Sequence, residues 1–185
     1  MRLKLIIAAA ATALVAETAS AQVFVIGQGL GGDCYQKTKN QYSSFRDADQ
    51  TCTRALREQA MTRSNRAATY VNRGVLRMRS GKYEQALSDY TDAIKLQPEL
   101  GAAYLNKGAA MIYQKDFQGA IAPLDRAIDL ESADLFAAYY NRAIARENTG
   151  DVAGAYADFQ KSLALKPGWE LAQNQLSRFS VEEAS

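Results

Sequence analysis

The chain contains no histidine. That removes the commonest general base and metal ligand of neutral pH. Hydrolysis would then need a Ser–Lys pair or paired carboxylates. Asp125 and Asp129 stand one helical turn apart on a face expected to look outward, and no strained nucleophile turn is legible. No catalytic residue, cofactor site or metal site is therefore assigned, and the chain is read as a non-enzyme. Charge of one sign is also scarce in excess. The formal net charge is +2, too small for a bulk drive toward nucleic acid or acidic lipid. Long hydrophobic runs are confined to the amino terminus. Cysteine occurs twice, at Cys34 and Cys52. Their spacing fits neither a redox pair nor a four-ligand zinc site.

What the amino terminus does have is the grammar of export. Arg2 and Lys4 give a basic start, Leu5 to Val15 is uninterruptedly apolar or Thr, and Ala19-Ser20-Ala21 puts small residues before Gln22. The apolar run is shorter than the ~20 residues a membrane span needs. Residues 1–21 are read as a cleaved signal peptide, and the short signal points to a bacterial periplasm. Cleavage would remove Arg2, Lys4 and Glu17, taking the net charge from +2 to +1. An oxidising compartment favours a Cys34–Cys52 disulfide over two buried thiols. Closing such a loop stabilises by about 3 kcal/mol on the chain-entropy view. Residues 22–32 read as a flexible apolar leader ending in glycines. Gly27, Gly29 and Gly32 satisfy G-x-G-x-x-G, but no strand-like run follows to complete a dinucleotide site.

From Arg66 onward, helical periodicity dominates. Tyr70-Val-Asn-Arg-Gly74, Tyr104-Leu-Asn-Lys-Gly108 and Tyr139-Tyr-Asn-Arg-Ala143 stack at spacings of 34 and 35 residues. The phase persists at Ala86, Ala120 and Ala155, then Tyr90, Leu124 and Phe159, then Ala93, Ala127 and Ser162. Such a period marks a stacked helical array. Ser80-Gly81-Lys82 and Gly150-Asp151 read as turns, and Pro98 and Pro167 as stops. Pro123, inside a predicted helix, should cost a hydrogen bond and bend it. Tyr70, Tyr104 and Tyr139 are read as core.

These residues resemble the tetratricopeptide repeat family over residues 67–169, with repeats at 67–100, 101–134 and 136–169. Ser132 in place of proline, Val152 in place of an aromatic and Ser162 in place of alanine depart from the pattern. The resemblance implies an all-α, right-handed superhelical array of antiparallel helix pairs. Phe45, Ala48, Cys52, Ala55 and Leu56 extend the pattern faintly upstream, so residues 33–65 read as a degenerate repeat whose two helices the disulfide would pin. Trp169, Ala172, Leu176 and Phe179 place a capping helix at 168–180, with a frayed tail from Val181.

In this family the first helix of each pair lines a concave groove. Asn72, Asn106 and Asn141 occupy the same inward position. A carboxamide offers a donor and an acceptor and can pair with a peptide unit of an extended chain; the bland alternative is that each tethers a neighbouring helix. Val71, Val75, Leu105, Ala109, Tyr113, Tyr140 and Ile144 complete an apolar wall, with Ala68, Ala102, Ala137, Met78 and Ile112 beside it. An apolar wall with convergent amides suits a peptide or protein segment. Alternatively, residues 22–31 fill the groove from within, or copies of the chain associate through it. The family's clamp for a terminal carboxylate needs Lys at Val71, Asn at Val75 and Lys at Ala137, and it is absent. Arg73, Lys107 and Arg142 read as solvated or paired with Asp89, Asp92 or Asp125, each pair contributing at most about 1 kcal/mol. The function expected is a scaffold that binds a protein segment, with no nucleic acid. The alternative is a structural subunit of an envelope assembly, contacting through its outer face or capping helix.

Overall fold

The structure is a computed structural model that describes residues 3–7, 22–25, 29–40 and 44–183. In chain order the elements are β1 (Leu3–Ile7), α1 (Leu30–Lys39), α2 (Phe45–Glu58), α3 (Arg63–Arg79), α4 (Tyr83–Leu96), α5 (Gly101–Tyr113), α6 (Phe117–Asp129), α7 (Leu135–Asn148), α8 (Val152–Leu165), α9 (Glu170–Leu176) and β2 (Phe179–Glu183). Each helix packs chiefly on its sequence neighbours, as in a one-dimensional stack. The result is the all-α solenoid of helix pairs that the period predicts. Among the described residues no helix is long and apolar enough to cross a membrane.

Within each repeat, a small residue on the first helix receives a large one from the second. A Cβ built on Gly74 would lie 2.5 Å from Cε1 of Tyr90, and one on Gly108 would lie 2.5 Å from Cγ of Leu124. Tyr90, Leu124 and Phe159 are fully buried. Between the helices the chain turns through a positive φ at Gly81 (72°), Lys115 (62°) and Gly150 (91°). Only Lys115 bears a side chain there, a conformation glycine adopts at less cost. The second helices of repeats two and three then start on a carboxylate cap: Gly119 N–H donates to Asp116 Oδ1 at 2.9 Å, and Gly154 N–H to Asp151 Oδ1 at 2.9 Å. Helix α6 runs unbroken through Pro123.

Cys34 and Cys52 form a disulfide that joins α1 to α2. Ala48 and Leu76 pack with them, so the staple is continuous with α3. Helix α1 begins at Leu30, inside the segment read as leader, and Gly29 precedes it with φ 99°. Of the three glycines in the nucleotide-like pattern, Gly27 lies outside the described residues. Gly29 and Gly32 start this helix.

The carboxyl end departs from expectation. Trp169 caps α9 rather than lying inside it, wedged against Phe136 (centroids 5.0 Å) and Tyr140 (4.8 Å). The capping helix stops at Leu176, and Phe179–Glu183 is a strand, not a helix end and frayed tail. It pairs antiparallel with β1, Leu5 opposite Val181. The sequence reason is visible in retrospect: Leu3–Ile7 is rich in apolar and β-branched residues, and Phe-Ser-Val alternates. Residues 8–21, with the cleavage signature Ala19–Ala21, lie outside the described residues.

Of the cations that follow the asparagines, Arg73 and Arg142 are paired with buried carboxylates. Arg73 chelates Asp89 through Nη2 and Nε at 2.7–3.2 Å, and Arg77 reaches the same carboxylate at 2.9 Å. Arg73 also donates to Thr53 Oγ1 (3.0 Å) and Arg77 to Asp49 (3.0 Å), both on α2. Two repeats later the motif returns. Arg142 and Arg146 share Asp158 at 2.8–2.9 Å, and Arg142 reaches back to Asp125 on α6 at 2.6 Å. Each cluster ties the two helices of a repeat to the preceding helix. The Asp89 side chain is 2% exposed. Burial pushes its carboxyl above the ordinary carboxylate range, against the hydrogen bonds and charge of Arg73 and the charge of Arg77. These are buried pairs, so breaking one costs far more than the surface value. The middle repeat has Lys107 and, at the phase of Asp89 and Asp158, Pro123. Tyr70 and Tyr139, read as core, are half-buried under the guanidinium groups of Arg73 (5.6 Å) and Arg142 (5.4 Å).

Reduction of the disulfide is expected to lower stability by about 3 kcal/mol, with Cys34→Ser and Cys52→Ser equivalent to each other and insensitive to reductant. Calorimetry with and without dithiothreitol reads this directly, and two titratable thiols in the protein purified without reductant would contradict it. Asp89→Ala should cost about 3 kcal/mol in urea unfolding, because it strands two partly buried guanidinium groups; a loss under ~1 kcal/mol would place the cluster with surface pairs.

Candidate functional site

The first helix of each pair presents Asn72, Asn106 and Asn141 at the same phase, and all three side chains are buried. Asn72 shows what such a side chain can do. The Val23 N–H donates to Asn72 Oδ1 at 3.0 Å, and Asn72 Nδ2 donates to the Val23 carbonyl at 2.8 Å. In extended backbone the N–H and C=O of one residue point to the same side, so one carboxamide satisfies both, as a neighbouring strand would. Asn72 is thus bonded to a peptide backbone 49 residues away in sequence, not to an adjacent helix.

The remaining leader contacts fit the same picture. Val23 packs against the cluster containing Val71 and Val75. Val25 is 5% exposed, with its Cγ1 3.3 Å from where a Cβ on Gly31 would stand. Phe24 is 63% exposed and meets the Tyr35 ring edge-on at 5.2 Å. Gln22 Nε2 donates to the Thr38 carbonyl at 3.4 Å. Residues 22–25 are therefore held against the array, in line with the alternative of an occupant from residues 22–31 and not with a flexible leader.

Asn141 offers the same chemistry in the third repeat, where neither Nδ2 nor Oδ1 has a hydrogen-bond partner among the described residues. A buried unpaired amide is costly, by about 1–3 kcal/mol for each polar group. Of the wall residues, Val71, Val75, Leu105, Ala109 and Ile144 are buried along the same first helices. Tyr113 instead stacks on Tyr83 at 5.4 Å, closing the seam between α4 and α5. Tyr140 is fully buried between Phe159 (5.5 Å) and Trp169, so its ring serves the core of the third repeat. The sequence offered residues 22–31 as an occupant, but phase did not single out Val23 as the partner of Asn72; the alternation Val-Phe-Val was the available signal. Asp158, the acid at the heart of the second ionic cluster, was also missed, although the period places it two repeats after Asp89. Among the described residues no group of three or more His, Cys, Asp or Glu side chains could hold a metal ion.

The tetratricopeptide repeat profile matches residues 71–134 and, overlapping, 113–168. Human tetratricopeptide repeat protein 36 is 27% identical over 155 residues, covering 82% of this chain and 74% of that protein. The Hsp70-Hsp90 organizing protein of Triticum aestivum is 32% identical over 91 residues, 49% of this chain but 16% of its own length. Protein unc-45 homolog B of Mus musculus is 31% identical over 102 residues, 54% of this chain and 11% of its own length. This chain spans only a small part of those two relatives. Among solved structures, the first repeat domain of Spaghetti (RPAP3) bound to the HSP90 peptide SRMEEVD has a TM-score of 0.59 at 26% identity, covering 62% of this chain and 90% of that one. MamA has a TM-score of 0.67 at 23% identity, covering 82% of each chain, a likeness of fold alone. With its period, its small-to-large helix contacts and a profile match over more than half of its residues, the chain belongs to the tetratricopeptide repeat family.

Proposed function

We propose that this protein is a non-catalytic interaction module that holds an extended, uncharged segment of a protein partner along Asn72, Asn106 and Asn141. The observation that carries the reading is the paired hydrogen bond between Asn72 and the Val23 backbone. It supports the reading because a stretch of the chain's own backbone meets this carboxamide through both its N–H and its carbonyl. The orphaned amide of Asn141 supports it, because a second peptide unit would satisfy both of its buried atoms. Relatives of this fold hold acidic peptides such as SRMEEVD. Here Val71, Val75 and Ala137 offer no cation for such a tail, so the ligand favoured is read through its backbone and apolar side chains.

The setting proposed is the bacterial periplasm, after cleavage before Gln22. The basic–apolar–small pattern of residues 1–21 and the Cys34–Cys52 disulfide support this. A second reading, a structural subunit of an envelope assembly, is favoured by one feature. Leu165 is exposed, and an open apolar depression of about 540 Å³ is lined by its chain neighbours Leu163 and Pro167 and by Leu176.

Replacing Asn72, Asn106 and Asn141 together by Ala should weaken capture of a crosslinked envelope partner by at least roughly ten-fold, with helicity unchanged by circular dichroism. Capture lost in Leu165→Asp and kept in the triple variant would favour the structural-subunit reading instead. Intact-mass analysis of the secreted chain should give a species beginning at Gln22; a mass retaining Met1–Ala21 would overturn the proposed export route.

A further inference from the structure

Residues 22–25 bind their own repeat array in the manner proposed for a ligand. Four features agree. One residue, Val23, gives both its N–H and its carbonyl to a single buried carboxamide. Burial alternates along the segment, with Val25 inward and Phe24 outward, the period of an extended strand. Val23 packs on the apolar cluster that includes Val71 and Val75. The side chains of the segment carry no charge, matching a wall without one.

We infer that Gln22–Val25 is an intramolecular occupant of the first-repeat subsite, and that a partner segment gains Asn72 only by displacing it. The inference rests on the peptide-binding reading above. It adds the ligand's chemistry and a control on access. The competing segment is extended and uncharged, has β-branched or other apolar residues at alternate positions, and carries a non-proline residue opposite Asn72, since that residue must donate an N–H. The occupant is covalently attached close by, with α1 beginning at Leu30. Its effective concentration at Asn72 is therefore in the millimolar range or above, and a free peptide of the same chemistry competes poorly until the segment is disengaged.

The test uses the full chain and a fluorescein-labelled heptapeptide copying Gln22–Gln28. Val23→Pro removes the N–H that Asn72 accepts. Val23→Asp keeps the N–H and sets a charge against Val71 and Val75, disengaging the segment by a different route. Both variants, verified by circular dichroism as folded, should bind the heptapeptide at least ten-fold more tightly than the unsubstituted chain, and adding Asn72→Ala to either should abolish the gain. Hydrogen exchange gives an independent readout: the Val23 amide is slowed in the unsubstituted chain and released in Asn72→Ala. If all chains bind the heptapeptide equally, the groove still takes peptides but the occupant exerts no control, and the inference falls alone. If the Val23 amide exchanges at the rate of a free peptide in the unsubstituted chain, the inference also falls. If Val23 is protected yet no variant binds the heptapeptide, both the control and the uncharged-peptide reading are overturned.

Discussion

The ring of Tyr90 rests against the bare backbone of Gly74, closer than any side chain at that position would permit. Leu124 repeats the contact at Gly108, and Phe159 lies two repeats on at the same phase. This approach sets the separation of the two helices in each pair. Once it is fixed, each residue of the first helix has a fixed station. Gly74 receives Tyr90 from the second helix and closes the core, Asn72 two residues earlier meets the Val23 backbone, and Arg73 between them meets Asp89 on the second helix. The amide row and the ionic clusters are consequences of one steric fit repeated along the chain.

The parts of the fold legible in the sequence are those written in this repeat. The helix pairs from Arg63 to Leu165, the turns at Gly81 and Gly150 and the stapled pair before them all follow from spacing and small residues. What escaped was written once only. The strand at Phe179–Glu183 has no repeat to echo it, and its pairing partner lies in residues that read as a signal. Helix α1 starts at Leu30 because Gly29 supplies its entry, not because of any apolar period. The burial of Arg73 and Arg142 could not be read from charge alone. It required knowing that Asp89 and Asp158 face inward across the pair.

The candidate site was legible in its members but less so in its arrangement. Phase identified Asn72, Asn106 and Asn141 together, and all three are buried on the first helices. The same rule placed Tyr113 and Tyr140 on the wall, yet large aromatic rings also find partners in neighbouring helices, Tyr83 for one and Phe159 and Trp169 for the other. An apolar residue at an inward phase can be claimed by the seam between repeats. An asparagine there is more telling, because its amide must find a partner, and for Asn72 that partner is a backbone.

The two arginine–aspartate clusters flank a repeat that has none, with Pro123 where its neighbours carry an acid. Charged clamps hold three successive helices rigidly at each end, α2 to α4 and α6 to α8, while the seam of α4 with α5 is left to apolar and aromatic contact. The solenoid is in this respect a spring of uneven stiffness. A change of pitch would meet no arginine–aspartate clamp at that central seam, whereas at either end it would have to break one.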